Sequence, residues 1–206
     1  MKFLALAFIA GLVSALGFAP LGLWPLTILA FAALLWLIEQ APSLRSALAR
    51  GWWFGVGQFA LGLNWIATAF TFQAAMPAWL GWVAVVLLAL YLAIYPAVAA
   101  GLAWRWGRGN PLALTLVLAA AWIVTEWLRA TLFTGFAWNP IGVTLVDRSI
   151  AGLAALVGTY GLGAMVVLFA GLIRIAALGP NRRLALPLAG AALARPAQAR
   201  SPAPRG

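Results

Sequence analysis

Residues 78–104 read AWLGWVAVVLLALYLAIYPAVAAGLAW, and none of these side chains carries a charge. A membrane-spanning helix needs about 20 mostly apolar residues, and this run exceeds that length. The whole 206-residue chain has the same character, with 66% hydrophobic and 8% charged residues. Ordinary globular proteins contain about 45–50% apolar and about 25% charged residues. A chain of this size cannot hide so much apolar surface from water, so lipid must surround it and soluble classes of protein are excluded.

Similar apolar runs predict an all-α fold, a polytopic membrane helix bundle of about six spans. The first two spans are short and are joined by a turn that contains Pro20 and Gly22. A cleaved signal peptide is the alternative for residues 1–19, although no small-x-small cleavage site precedes Pro20. The predicted spans are residues 3–18, 24–38, 51–72, 78–104, 112–133 and 150–178.

We expect two regions, the bundle over residues 1–179 and a disordered tail over residues 180–206. The tail is rich in alanine, proline and arginine. Its apolar stretch, residues 184–194, is too short to span a membrane and contains Pro187. A clipped seventh helix is the alternative for that stretch.

Basic residues predict the orientation of the bundle, because Lys and Arg accumulate in cytoplasmic loops. They fall at alternate junctions, and the junctions between carry no net charge. Both termini are therefore expected in the cytoplasm, with residues 71–77 and 134–147 outside. The net charge of +10 follows from this topology, so nucleic acid is not an expected partner. The basic junctions contain Lys2, Arg45, Arg50, Arg105, Arg108, Arg182 and Arg183.

Charged side chains inside a span are costly and are candidates for function. Glu126 and Arg129 are three residues apart on one helix, so they share a face and can pair. A purely structural ion pair is one interpretation, and a bidentate grip of Arg129 on a lipid phosphate is the other. Gln58 and Asn64 are expected to face the interior and to hydrogen-bond across helices. Arg174 is expected to snorkel towards the cytoplasm, and Glu39 to be a solvated interfacial charge.

The stretch after this pair, residues 131–142, reads TLFTGFAWNPIG and mixes helix breakers with aromatic residues. Irregular backbone at this depth is tolerated where it is buried in protein or lines a cavity, although a plain interfacial loop is the alternative. Glu126, Arg129, Trp138 and Asn139 are therefore the candidate lipid- or substrate-binding residues. The chain has no cysteine and no histidine, so we predict no metal site, no cofactor and no catalytic residue.

Small residues recur at four-residue spacing, which lets helix backbones approach closely in lipid. Packing within the chain is the favoured interpretation, and a dimer motif is the alternative. The sets are Ala7, Gly11 and Ala15, then Gly51 and Gly55, then Ala154 and Gly158.

Residues 122–129 (WIVTEWLR) and 133–139 (FTGFAWN) carry a pattern that resembles the bacterial apolipoprotein N-acyltransferase family. Further short matches support the resemblance and follow one another in the same order as in the family. They lie at residues 18–20, 23–25, 62–66, 76–77 and 90–96. The resemblance covers residues 17–178. Ala137 stands where the family often has proline, and residues 73–75 replace a glycine-rich turn.

The resemblance implies an enzyme of the bacterial inner membrane that acts in lipoprotein maturation. Such an enzyme takes an acyl chain from a phospholipid donor and transfers it to the N-terminal amine of a diacylated apolipoprotein. The route passes through a thioester on a cysteine, with a glutamate base and a lysine that steadies the oxyanion. In the family these groups lie on a nitrilase-like domain outside the membrane.

No residue here can take those catalytic roles, because cysteine is absent and Lys2 is the only lysine. We expect the chain to be inactive alone, as a truncated or frame-shifted form or as the partner of a separate nitrilase-like catalytic chain. A small transporter is an alternative, although no inverted repeat is evident. A structural membrane subunit that docks a separate catalytic chain is another.

Overall fold

The computed structural model of the chain describes residues 1–72, 77–133 and 135–178. Within them the chain forms α-helices and two short 3-10 segments, Ile141–Leu145 and Ser149–Leu153, without any strand. This confirms the all-α fold class. Predictions for residues 73–76, for Thr134 and for the tail with its 184–194 stretch lie outside the described residues. The helices are α1 (Lys2–Ala15), α2 (Trp24–Glu39), α3 (Leu44–Gly62), α4 (Asn64–Thr71), α5 (Ala78–Leu92), α6 (Ile94–Gly107), α7 (Pro111–Thr131) and α8 (Ala154–Leu178).

Among the described residues, three segments are long and apolar enough to cross a membrane: Trp79–Gly107, Pro111–Thr131 and Ser149–Ala177. Helices α1 and α2 are also apolar but have only 14 and 16 residues. This agrees with the expectation that the first two spans are short.

Three of the predicted continuous spans are interrupted. The span over residues 51–72 divides at Leu63 into α3 and α4. The span over residues 78–104 bends at Ala93, because Pro96 lacks the N–H that would bond to Leu92 and its ring crowds that carbonyl. Near its start, α8 kinks at Gly158, where φ is 70°.

Small residues pack α3 against α1 on one side and against α6 on another, as predicted for the first two sets. A Cβ at Gly11 would collide with the carbonyl oxygen of Phe54 on α3. A Cβ at Gly55 would lie 2.8 Å from the Cα of Ala93, next to α6. Packing within the chain is therefore confirmed at these positions. The third set is wrong, because Gly158 has open space around it and forms the kink instead.

Aromatic rings join α2, α3 and α7 in the core. Phe31 is fully buried, and its ring centroid lies 5.2 Å from that of Phe54 and 4.7 Å from that of Trp122. Both contacts are edge-to-face, the arrangement that aromatic rings favour. These contacts pack one face of α7 against α2 and α3.

The polar groups at the helix ends differ from two predictions. Arg174 is buried on α8 and forms an ion pair with Glu39 on α2, so it does not snorkel freely and Glu39 is not a lone solvated charge. Arg50 is also buried, donates to the carbonyl of Leu37 and lies over the ring of Phe3, with 4.5 Å between Cζ and the ring centroid. Arg174 thereby joins α8 to α2, and Arg50 joins α3 to α2 and α1.

Candidate functional site

Helix α7 carries the two central residues of the candidate site, and its start is well defined. Asn110 caps the helix by accepting hydrogen bonds from the N–H groups of Leu112 and Ala113, and Pro111 occupies the first helical position. The last two turns of α7 then present Glu126 and Arg129 on one face, as their spacing predicts.

The Arg129 guanidinium holds the loop that follows α7. The side chain is 2% exposed, and Nη1 donates to the carbonyl oxygens of Phe136 at 3.0 Å and Trp138 at 2.7 Å. The N–H of Phe136 in turn donates to the carbonyl of Arg129 at 2.8 Å. The loop carbonyls lie outside any helix, so the guanidinium supplies donors that water supplies elsewhere.

The Glu126 carboxylate holds the next part of the same loop. It is 5% exposed, and Oε1 accepts a hydrogen bond from the N–H of Ile141 at 2.8 Å. The same oxygen lies 3.9 Å from Arg129 Nη2, so the predicted ion pair is present but long. Glu126 and Arg129 therefore fix two points of the loop to α7.

Two glycines let α8 close over this carboxylate. A Cβ at Gly163 would lie 3.1 Å from Glu126 Oε2 and 2.7 Å from the side chain of Ile141. A Cβ at Gly142 would collide with the carbonyl oxygen of Thr159. No pattern in the sequence marks these two glycines, because neither belongs to a set of small residues at four-residue spacing.

The loop reverses direction through unusual backbone conformations. Phe133, Gly135 and Asn139 have φ values of 55°, 70° and 54°. At Gly135 a Cβ would also lie only 2.5 Å from the carbonyl oxygen of Ala130, so both φ and space favour glycine. The irregular loop over the bundle is as predicted, and it is packed onto α7.

Asn139 and Trp138 take different positions at the site. Asn139 Nδ2 donates to the carbonyl of Gly62 at 2.7 Å, which ties the loop to the C-terminal end of α3. Trp138 is 60% exposed, and Arg129 binds its backbone carbonyl rather than its indole. Its ring centroid lies 5.5 Å from that of Trp65 on α4.

The two structural polar candidates have different environments. Gln58 is 3% exposed and faces the interior, as predicted. Asn64 is exposed, so the prediction of an interior position is wrong. It lines an open cavity of about 310 Å³ together with Pro20, Trp65 and Asn139. Residues six positions apart do not share a face of an α-helix, and the helix also breaks at Leu63 between Gln58 and Asn64.

The site can position a segment of chain, and the sequence supplies no thiol nucleophile to it. Within the described ranges no group of three carboxylate, imidazole or thiol side chains converges in a way that could hold a metal ion. Glu126 and Arg129 are both used to bind backbone groups of the loop. The exposed side chains nearest to this pair of residues include the indoles of Trp65 and Trp138 and the amide of Asn64.

The family model of the apolipoprotein N-acyltransferase N-terminal domain matches residues 10–172. The chain belongs to this family. The match includes every candidate residue from Gln58 to Asn139, and it confirms the family resemblance found in residues 122–139.

Curated relatives of this N-terminal domain are full apolipoprotein N-acyltransferases. The chain is 44% identical to the protein of Ralstonia nicotianae over 87% of its own length and 34% of the relative's. It is 40% identical to the protein of Caulobacter vibrioides over 92% of its own length and 36% of the relative's. It is 35% identical to the protein of Methylococcus capsulatus over 94% of its own length and 38% of the relative's. The chain thus spans about a third of the length of these relatives.

Proposed function

We propose that this domain presents a phospholipid acyl donor at the outer face of the bacterial inner membrane. The acyl chain would pass to the N-terminal amine of a diacylated apolipoprotein, which is the second proposed partner. The observation that carries the proposal is the loop over residues 135–139, which Arg129 anchors to α7 and which exposes Trp138 beside Trp65.

The exposed side chains at this loop suit contact with lipid. Trp65 is 44% exposed and Phe133 is 88% exposed, in addition to Trp138. Tryptophan favours the membrane–water interface because its ring is apolar and its N–H is polar. A rigid support for an exposed loop is typical of binding sites. In this arrangement Glu126, Arg129 and Asn139 position the loop, and Trp138 contacts the phospholipid.

The chemical step requires groups that these 206 residues do not contain. A thioester intermediate needs a thiol, and there is no cysteine; Lys2 is the only lysine. We assign the nucleophile, the base and the oxyanion donor to a nitrilase-like domain outside these residues, in the same polypeptide or in a separate chain.

The 206-residue chain alone should therefore be inactive as an acyltransferase. Purified protein in phospholipid vesicles, incubated with a diacylated lipopeptide, should yield no triacylated product by mass spectrometry. An active full-length apolipoprotein N-acyltransferase serves as the positive control. Turnover above protein-free vesicles would mean that a group other than a thiol is the nucleophile.

Lipid contact at the loop can be mapped with a phospholipid that carries a photoreactive group near its glycerol. We expect cross-links to the peptide that contains Trp138, with at least a fivefold reduction in Trp138→Ala. Arg129→Ala should also reduce them, because the loop loses two hydrogen bonds to its anchor.

Trp106→Ala is the matched control, since Trp106 is 65% exposed and lies at the C-terminal end of α6, in the junction predicted to be cytoplasmic. Its cross-links at the loop should equal those of the unchanged protein. Equal cross-linking in Trp138→Ala would contradict the proposal. Normal cross-linking in Arg129→Ala with reduced thermal stability would limit Arg129 to a structural role.

A further inference from the structure

A small internal cavity lies where α3, α6 and α7 meet, beside the candidate site. Its volume is about 10 Å³. A site that holds one water needs roughly 10–15 Å³. The cavity therefore matches one water molecule and is far too small for a lipid headgroup. Its lining includes Gln58, Trp122, Thr125, Glu126 and Asn139.

Three polar atoms of the lining make no hydrogen bond within the part of the chain that the structure describes. They are Gln58 Oε1, Trp122 Nε1 and Glu126 Oε2. The three residues are 3%, 3% and 5% exposed, so bulk water does not reach these atoms. Buried polar atoms without partners are unfavourable, especially inside a membrane bundle.

The three atoms are chemically complementary to a single water molecule. Trp122 and Glu126 are four residues apart on α7 and share a face, and Gln58 approaches from α3. Two of the atoms are acceptors and one is a donor. A water molecule can donate to both oxygens and accept from the indole N–H. A cation suits the cavity poorly, because it would meet the indole N–H and the Arg129 guanidinium beside Glu126.

We propose that one internal water bridges Gln58 Oε1, Trp122 Nε1 and Glu126 Oε2. It links α3 to α7 through hydrogen bonds. Because Glu126 Oε1 already accepts from Ile141, the water extends the support of the loop into the bundle. This water site is separate from the lipid contact proposed at Trp138.

Radiolytic labelling in H₂¹⁸O tests the site, because hydroxyl radicals formed from a bound water oxidise the side chains next to it. Trp122 should be oxidised at least five times faster than Trp104, which is more exposed at 9% but lies outside the cavity. Oxidation of Trp122 no faster than that of Trp104 would overturn the proposal.

A pair of variants gives a second, independent test. Gln58→Leu removes one acceptor and fills the space, so the oxidation rate of Trp122 should fall to that of Trp104. Thr27→Val is the matched control, because Thr27 is buried and donates to the carbonyl of Ser14 at a distance from the cavity. It should leave the rate at Trp122 unchanged. An unchanged rate in a folded Gln58→Leu variant would also overturn the proposal.

Discussion

Asn139 supports the loop through two features that substitutions can separate. Its backbone adopts a φ of 54°, which glycine tolerates and which asparagine adopts more readily than most residues. Its side-chain amide donates to the Gly62 carbonyl at the end of α3. Glycine at this position keeps the backbone and loses the hydrogen bond, whereas alanine loses both.

Asn139→Gly should lower the free energy of unfolding by about 1 kcal/mol, the net value of one hydrogen bond. Asn139→Ala should lower it by about 2–3 kcal/mol, because a positive φ costs a further 1–2 kcal/mol in a residue with a Cβ. Reversible unfolding in mixed micelles measures both. Equal losses of unfolding free energy in the two variants would show that the positive φ at this position adds no cost for a residue with a Cβ.

At the residue scale, the sequence predicts pairs within one helix better than bonds to a loop. The spacing of Glu126 and Arg129 predicts their shared face, which the structure confirms. Their stronger partners are backbone groups of Ile141, Phe136 and Trp138. Backbone groups are present at every residue, so no side-chain pattern marks which of them will be bound.

At the element scale, close helix packing depends on individual glycines. Gly11 brings α1 against the backbone of α3, and a Cβ there would collide with the Phe54 carbonyl oxygen. Gly152 lies in the Ser149–Leu153 segment, where a Cβ would have no atom within 4 Å of it. The same substitution at Gly152 therefore adds only exposed surface.

Gly11→Ala should destabilise the bundle by about 1–3 kcal/mol, because α1 and α3 must separate to accept the methyl group. Gly152→Ala should change stability by less than about 0.5 kcal/mol, as is usual for surface sites. Thermal unfolding in detergent compares the two. A Gly11→Ala variant as stable as Gly152→Ala would contradict the backbone contact between α1 and α3.

The same spacing rule fails for Ala154 and Gly158, which shows its limit. A small residue permits either a close contact or a bend, and the pattern alone does not separate the two outcomes. Gly158 forms a bend, with a φ of 70°. Bends caused by proline are easier to anticipate, since Pro96 removes one hydrogen bond and the helix bends one turn earlier, at Ala93.

At the scale of the whole molecule, orientation is the main prediction that the sequence makes. Because the chain has no cysteine, single cysteines can be introduced without removing native ones. Asp147→Cys should react with an impermeant thiol reagent from outside intact spheroplasts, whereas Arg45→Cys and Arg105→Cys should react only after lysis. All three positions are exposed, so burial does not prevent labelling. External labelling at Arg45 with none at Asp147 would reverse the assignment.

Contacts between distant parts of the chain were the least predictable at this scale. Arg174 and Glu39 are 135 positions apart in the chain, yet they pair across α2 and α8. Each lies near a helix end, where contact with solvent is enough to account for a charged side chain when only the sequence is known. Only the packing of α2 against α8 brings them together.

The unequal helices also determine how the surrounding lipid must deform. At a rise of about 1.5 Å per residue, α1 and α2 are about 21 and 24 Å long, against about 30 Å for the hydrocarbon layer. Leu6, Ile9 and Leu29 are exposed along them, so lipid chains meet this surface directly. A short apolar span is accommodated by local thinning of the bilayer or by snorkelling of flanking residues, so shorter acyl chains match the boundary beside α1 and α2 best. The length of these two helices thereby favours particular lipid neighbours by elastic mismatch, in addition to the shape of the apolar groove between them.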